Sequence, residues 1–584
     1  MKIISINYFI LIFLFILKEI KNTFELIKRV IYFIKNHQII GYFCFNFFNK
    51  KNINFSRNKF FKLYTKENQK TWTQNNLPIK NEQKKIIVSC FVHNPGYYLT
   101  NGIIAKYLEH ELNLKLVGLI DKNDFQGEFI LRSFGVNEFF YIKKGNFFKR
   151  FKFFLSAIKI IKNIKSIDEF LNYKKESIHL GKIVYEHVLR HTGKGTINKL
   201  NFKFYYHLAE TLKIQEYYLT VLKENNIRAV IQSEQQFIPS CIIFQNSLKN
   251  NIDVFSRRGG PQWVTVKKYS NISQAYEPAD EVEKDLFDYI FNNFKEKASE
   301  KGSIVIKKRF FGEEQYNYIN DGHFNFKGKK EITRSELCNL LSWDYKKPIC
   351  IVFGHCLIDG NFLFGWRLFK DNLTRLRETL ATISKNDKIN WLIKPHPAEI
   401  RYPETSTNTI AEVTKFYKNF KNIKLFPKNL SSMTIANSVN AIVSCTGSGP
   451  LEFASFGIPS IIAGRSMYSK LEFAKQPKTV HEYKTLLENV DKLDKLNKTQ
   501  IEKANTFTYI MCKLIRVKIP LLPKFKVLLR WLEYDNNFWK DSISALKNYS
   551  FKNDYFRKMF LLQLKNENRH IINQEFLNKE LKLY

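Results

Sequence analysis

The sequence predicts an α/β protein built from two doubly wound, Rossmann-type lobes, with a helical N-terminal segment and a helical C-terminal tail. Short apolar runs of strand length alternate with helical stretches over residues 84–262, and the same alternation restarts at residue 346. Such alternation with short connections gives parallel sheets packed between helix layers. Length agrees: 584 residues suffice for about three to four domains of roughly 100–150 residues, each with its own core.

Taken in order, residues 3–17 (IISINYFILIFLFIL) are interrupted only by Ser5 and Asn7, yet they fall short of the ~20 residues that span a bilayer. Only Lys2 precedes them and no small-residue cleavage site follows, so a cleaved signal peptide is not expected. The run KEIKNTFELIKRVIYFIKN then places apolar residues at helical spacing among lysines. That pattern suits a basic amphipathic helix lying in an anionic membrane interface, so residues 1–50 are expected to attach peripherally rather than span. The plainer alternative is a helix packed on the protein's own body. Residues 51–83, rich in Lys and Asn, read as a linker.

The N-terminal lobe is expected over 84–262. Its strands are KKIIVSCFV (84–92), LKLVGLID (114–121), FFYIKK, IRAVIQSE (227–234) and IDVFSR (252–257), with long amphipathic helices over 146–225. Residues 263–345 show no clear pattern and read as a connecting region. The second lobe, 346–485, has strands KKPICIVFG (346–354), INWLIK (389–394), NIKLF, AIVSC (441–445) and PSIIAG (459–464). Helices are expected between them, including one from Pro450 to Phe456. Residues 486–584 read as a basic helical tail, broken near KIPLLPK (518–524).

The charge is unusual: 93 Lys and Arg against 54 Asp and Glu leave +39. Such an excess favours anionic partners, namely nucleotides, phospholipid surfaces or acidic glycans. A nucleic-acid partner is not expected, because the lysines are dispersed and no recognised binding motif is present. Eight cysteines form no CxxC pair and no zinc spacing, so reduced core thiols are expected, with no metal and no cofactor.

Three segments carry residues suited to chemistry. In WLIKPHPAE (391–399), a buried strand ends at Lys394, and Pro395 and Pro397 hold His396 in an extended turn. Ligands bind at strand carboxyl ends in open α/β sheets, and Lys394 with His396 offers a cation and an imidazole to phosphate oxygens. In AIVSCTGSGPLEFASFGIP (441–459), a strand runs into Thr446, Gly447, Ser448 and Gly449 before a helix. Small residues there admit a ligand to the backbone, and the helix start aims N–H groups at an anion. Glu452, in the first turn, stands where a ribose diol would be held, or else only complements the helix dipole. In VFGHCLIDGNFLFGW (352–366), a Gly-bounded loop presents His355 and Asp359 as acid, base or hydroxyl-binding groups. The plain alternative for Asp359 is a turn closed on its own backbone.

In the first lobe, His93 follows strand one and Glu234 follows IRAVIQ. Glu234 is the better general-base candidate and His93 the next. Arg257 and Arg258, before Gly259 and Gly260, are candidates to hold an anionic substrate. No GxSxG, HExxH or Cys/His nucleophile signature appears.

Three runs, HCLIDGNFLFGWRLFKDNLTRLRETL, NWLIKPHPAE and SCTGSGPLEFASFGIPSIIAG, resemble bacterial capsule and surface-polysaccharide glycosyltransferases, including the Kdo transferases of capsule export. A related pattern occurs in CDP-glycerol glycerophosphotransferases. The resemblance is good over roughly 345–485, weaker over 84–262, and absent at both ends. It implies a GT-B arrangement, with the donor nucleotide held by the C-terminal lobe, the acceptor by the N-terminal lobe, and no bound metal. Carried over, Lys394 and His396 meet the donor phosphates, while Thr446, Gly447, Ser448 and Glu452 hold phosphate and ribose. The expectation is a membrane-associated transferase on the inner face of the cytoplasmic membrane. Its donor is a nucleotide-activated sugar of CMP-Kdo type or a relative, and its acceptor a surface polysaccharide or lipid-linked glycan. The alternatives are a CDP-polyol phosphotransferase of teichoic-acid type and a glycan-binding scaffold without catalysis.

Overall fold

The computed structural model describes residues 10–25, 59–74, 81–92, 94–143, 145–259, 263–311, 329–362, 365, 367–397, 399, 409–523 and 536–582. Two sheets organise the chain. The first contains β1 (Asn81–Ser89), β2 (Leu114–Asp121), β3 (Glu138–Ile142), β4 (Asn226–Gln232), β5 (Asp253–Gly259) and β6 (Trp263–Tyr269). The second contains β7 (Ile349–Phe353), β8 (Asn390–Lys394), β9 (Ile423–Leu425), β10 (Ala441–Ser444), β11 (Ser460–Ile462) and β12 (Ala474–Lys475); β13 (Val517–Lys518) returns to the first sheet. The orders are β13-β6-β5-β4-β1-β2-β3 and β12-β11-β10-β7-β8-β9.

β1 to β5 are parallel, with β6 antiparallel to β5 and β13 antiparallel to β6. Every pairing in the second sheet is parallel. Strands buried on both faces read as continuous apolar runs, and Ile349–Val352 and Ala441–Val443 are fully covered. Each sheet has a point where successive strands go to opposite sides: between β1 and β4 in the first, between β7 and β10 in the second. These crevices at strand carboxyl ends are where open α/β sheets take ligands.

Two stretches differ from the sequence expectation. The helix Lys59–Gln74 occupies much of the expected linker and buries Phe61, Tyr64 and Trp72 in the first lobe's core. Its partners arrive from the far end of the chain: Trp539 lies edge-on to Phe61 at 4.9 Å, and Tyr549 contacts Trp72 at 5.9 Å. The tail therefore completes the N-terminal lobe. The connecting region supplies β6 and the long helix Lys284–Phe310, which packs on the helix Lys498–Tyr509. A Cβ at Gly302 would fall 1.9 Å from the Asn505 carbonyl oxygen, so only glycine lets these helices approach so closely.

Among the described residues, no helix is long and apolar enough to cross a membrane. The helix over 10–25 is described; the rest of the expected amphipathic run lies outside the described residues. The cysteines among the described residues are free thiols, buried except for half-buried Cys512.

Candidate functional site

At the second sheet's crevice, the loops after β7 and β10 are stitched together. The Thr446 N–H donates to His355 Nε2 at 3.3 Å, which leaves the ring's proton on Nδ1. Burial, and then the Arg367 and Arg375 guanidiniums, hold His355 well below the usual imidazole range, so it is neutral. A Cβ on Gly447 would sit 3.2 Å from His355 Cε1, so the turn lies against the imidazole. Tyr468 donates to the Gly447 carbonyl at 2.7 Å and Ser466 to the Thr446 carbonyl at 3.0 Å. The turn is thus rigid before any ligand arrives.

Lys394 ends β8 beside this turn. Burial, aided by Lys329 and opposed by Glu452, lowers its ammonium to about 8, so it still carries charge at neutral pH. Its Nζ lies 5.2 Å over the Phe426 ring. His396 Nδ1 meets Cys356 Sγ at 3.2 Å, and its ring stacks 6.4 Å from that of His355. Glu452 accepts from Ser448 Oγ at 2.6 Å and pairs with Arg309 at 3.1 Å. The expected helix forms over Gly449–Ala454. Lys394, His396, His355, the Thr446–Ser448 turn and Glu452 are therefore brought together, and Arg309 joins them from the connecting helix.

The facing side is acidic. Glu234, after β4, accepts from the N–H groups of Gln235 (2.8 Å) and Gln236 (2.7 Å), and burial raises its carboxyl above the usual range. Asp359 reaches across from the C-terminal lobe and pairs with Arg190 at 3.6 Å. Its charge also presses on Glu234 and on Glu186. Glu186, on the helix Leu180–Thr192, is pushed up to about 7 by burial and Asp359, although it accepts the Asn361 N–H at 2.6 Å. Next to it, Tyr185 donates to Asp371 of the opposite lobe at 2.7 Å. Glu186, Phe237, Phe362 and Arg367 line an inter-lobe cavity of about 540 Å³.

His93 lies outside the described residues. Arg258 is engaged by Asp280 through two bonds of 2.7 and 3.0 Å, and Arg257 is buried over the Tyr97 ring at 4.8 Å. The Arg258 charge also acts on Glu234 and opposes the rise in its pKa. Sequence reading missed Glu186, Arg190 and Arg309. Glu186 had a signal, an acid among buried Val184, Tyr185, Val188 and Leu189. Arg309 had none, standing 143 positions from Glu452.

Two Rossmann-type lobes with facing strand carboxyl ends define the class, a two-lobed fold of the GT-B kind. No protein-family model matches the chain, and no curated protein does. Among solved structures it is similar to the KpsC beta Kdo 2,7 transferase of Thermosulfurimonas dismutans, at 14% identity over 57% of this chain and 89% of that one, TM-score 0.30. It is similar to the UDP-GlcNAc 2-epimerase of Neisseria meningitidis at 11% identity, over 73% and 99% of the two chains, TM-score 0.23. Similarity to the wall teichoic acid polymerase TagF is 9%, over 79% and 92%, TM-score 0.20.

Proposed function

We propose that the protein is a glycosyltransferase that takes a sugar from a nucleotide-activated donor and passes it to a glycan or lipid-linked acceptor. The observation that carries this reading is the pairing of two unlike sites across one cleft. A cationic, pre-formed turn on the C-terminal lobe faces Glu186 and Glu234, two carboxyls with raised affinity for protons. Donor phosphates meet Lys394 and His396, and the Thr446–Ser448 turn lies along them. A nucleotide leaving group gains negative charge as the glycosidic bond breaks, and fixed positive charge there lowers the barrier. Ser448 and Arg309 hold Glu452, which faces the nucleoside.

Glu234 takes the proton of the acceptor hydroxyl, because a buried carboxyl with raised pKa suits proton transfer near neutral pH. Asp359, held by Arg190, keeps that region acidic. His355 is a positioning residue, since its Nε2 is committed to the Thr446 backbone. A CMP-Kdo-type donor and a capsule or teichoic-acid-type acceptor are the particular forms of this reading.

The test is thermal stabilisation by CMP, CDP, UDP and GDP, measured beside the Lys394→Ala/His396→Ala variant. A ligand at about 100 times its dissociation constant adds roughly 2.7 kcal/mol. Selective stabilisation by one nucleotide, lost in the variant, supports the donor site, and its base names the donor class. If no nucleotide stabilises the wild type, the transferase reading fails and a glycan-binding scaffold takes its place.

A further inference from the structure

The helix over residues 10–25 is fastened to the N-terminal lobe along one side. Phe15 is buried, stacking 4.5 Å from Phe154 and touching Phe147 and Phe151. Glu19, also buried, pairs with Arg150, and Lys18 Nζ lies 5.0 Å over the Tyr206 ring. The opposite side is apolar and exposed. Ile10, Phe13, Leu14, Ile16, Leu17, Ile20 and Phe24 are all exposed, Phe13 by 53% and Phe24 by 59%. At 100° per residue these seven fall within an arc of about 160° centred away from Phe15 and Glu19. Beside the helix, Phe147 leads to Phe148, which is 79% exposed.

A stripe this apolar on a protein surface marks an interaction site rather than chance exposure. Its occupant follows from charge and geometry. At the same spacing Lys21 falls inside this arc near its edge and Lys18 about 40° beyond it, and Lys149, Lys152 and Lys159 are exposed on the adjoining helix Phe147–Ile161. A basic rim on a chain of net charge +39 complements an anionic lipid surface. The helix is about 24 Å long and lies along the lobe, fixed at Phe15 and Glu19. It therefore presents its apolar face sideways, as interfacial helices do, and does not stand across a bilayer.

Glu19, Asn22 and Thr23 of this helix form one wall of a cavity of about 1050 Å³. Its other walls include Asp121 and Lys122, at the carboxyl end of β2. We propose that the outer face of residues 10–25, with Phe148 beside it, is a docking surface for an anionic phospholipid bilayer, holding this cavity at the headgroup level. Binding itself is independent of the transferase reading. The added role, delivery of a lipid-linked acceptor to the N-terminal lobe, rests on it.

The experiment is co-sedimentation of the full chain with vesicles of phosphatidylcholine alone and of phosphatidylcholine with one quarter phosphatidylglycerol, at 0.1 and 0.5 M salt. The Phe13→Ser/Leu17→Ser and Phe148→Ser variants are run in parallel. The expected result is binding to the anionic vesicles, weakened by salt, and reduced at least tenfold by Phe13→Ser/Leu17→Ser with a smaller drop for Phe148→Ser. Both variants should keep the wild-type melting temperature, and Phe148→Ser provides a second reading should the double variant misfold. Absence of wild-type binding to either vesicle, or equal binding by folded variants, would overturn the proposal. So would a wild-type dimer that these substitutions convert to monomer without any vesicle binding, which assigns the face to a second copy. Nucleotide stabilisation, measured on the same samples, reports separately on the donor site.

Discussion

The two sides of the cleft are built differently. On the C-terminal side the groups come from three loops of one sheet, at 355–359, 394–396 and 446–452; His355 is bonded to the Thr446 N–H, His396 to Cys356, and Ser466 and Tyr468 hold the Thr446 and Gly447 carbonyls. On the N-terminal side Glu186, Arg190 and Glu234 come from a helix and a distant strand end, and they meet Asp359 only because the other lobe reaches across. The first arrangement is a rigid receptor for an anion. The second holds two acids, Glu186 and Glu234, whose proton affinity is raised. Burial raises carboxyl pKa values, and the Asp359 charge of the other lobe adds to that rise.

The division can be broken most sharply through Glu234. Glu234→Gln is expected to lower transfer by about 10²–10⁴-fold, the usual contribution of a positioned proton acceptor, while leaving nucleotide stabilisation intact. Transfer assays with the donor class chosen by the nucleotide series measure this. A loss below tenfold would move the base to another carboxyl of the cluster.

Acid sensitivity is the next contrast. On the N-terminal side His187, His191 and His207 form a cluster with ring centroids 4.3 to 5.0 Å apart. Burial, then neighbouring imidazoles, lowers His187 to about 2; burial, then His191 and nearby lysines, lowers His207 to about 3. The unfolded chain protonates these groups near pH 6.5. Between that value and their folded values the unfolded state binds more protons, so stability falls as pH falls from about 6.5 toward 3. Each histidine contributes up to about 1.4 kcal/mol per pH unit. Melting curves should show a lower midpoint at pH 5.0 than at 7.5, with a smaller difference in His207→Phe.

Tyr185→Phe removes the 2.7 Å bond to Asp371 across the cleft. A loss of about 1 kcal/mol is expected in denaturant unfolding, with a larger effect on acceptor use than on nucleotide binding. Equal effects on both would mean that Tyr185 serves stability alone.

Sequence reading served the C-terminal side better for a physical reason. β10 occupies Ala441–Ser444, within the apolar run expected over 441–445, and Lys394 ends β8 as expected. KPHP and TGSG sit at the ends of such runs, so strand placement alone brought them together. β6 escaped because WVTVKKY carries Lys267, whose ammonium is buried and bonded to the Glu281 carbonyl at 2.8 Å. The helix Lys59–Gln74 escaped because its buried residues, about one per turn, stand among Lys, Asn and Gln, and its partner helix lies more than 450 positions away. Glu186 was invisible as a site residue because its chemistry depends on Asp359 and Asn361 of the other lobe. Local patterns reveal strand ends; they do not reveal which distant helix closes over them.

The most direct measurement is calorimetric titration of the preferred nucleotide into three proteins: wild type, Lys394→Ala/His396→Ala, and Glu234→Gln. The division of labour predicts at least a hundredfold loss of affinity in the first variant and a change of less than threefold in the second. Equal loss in both variants, or undiminished binding without Lys394 and His396, would contradict a donor site on the C-terminal lobe.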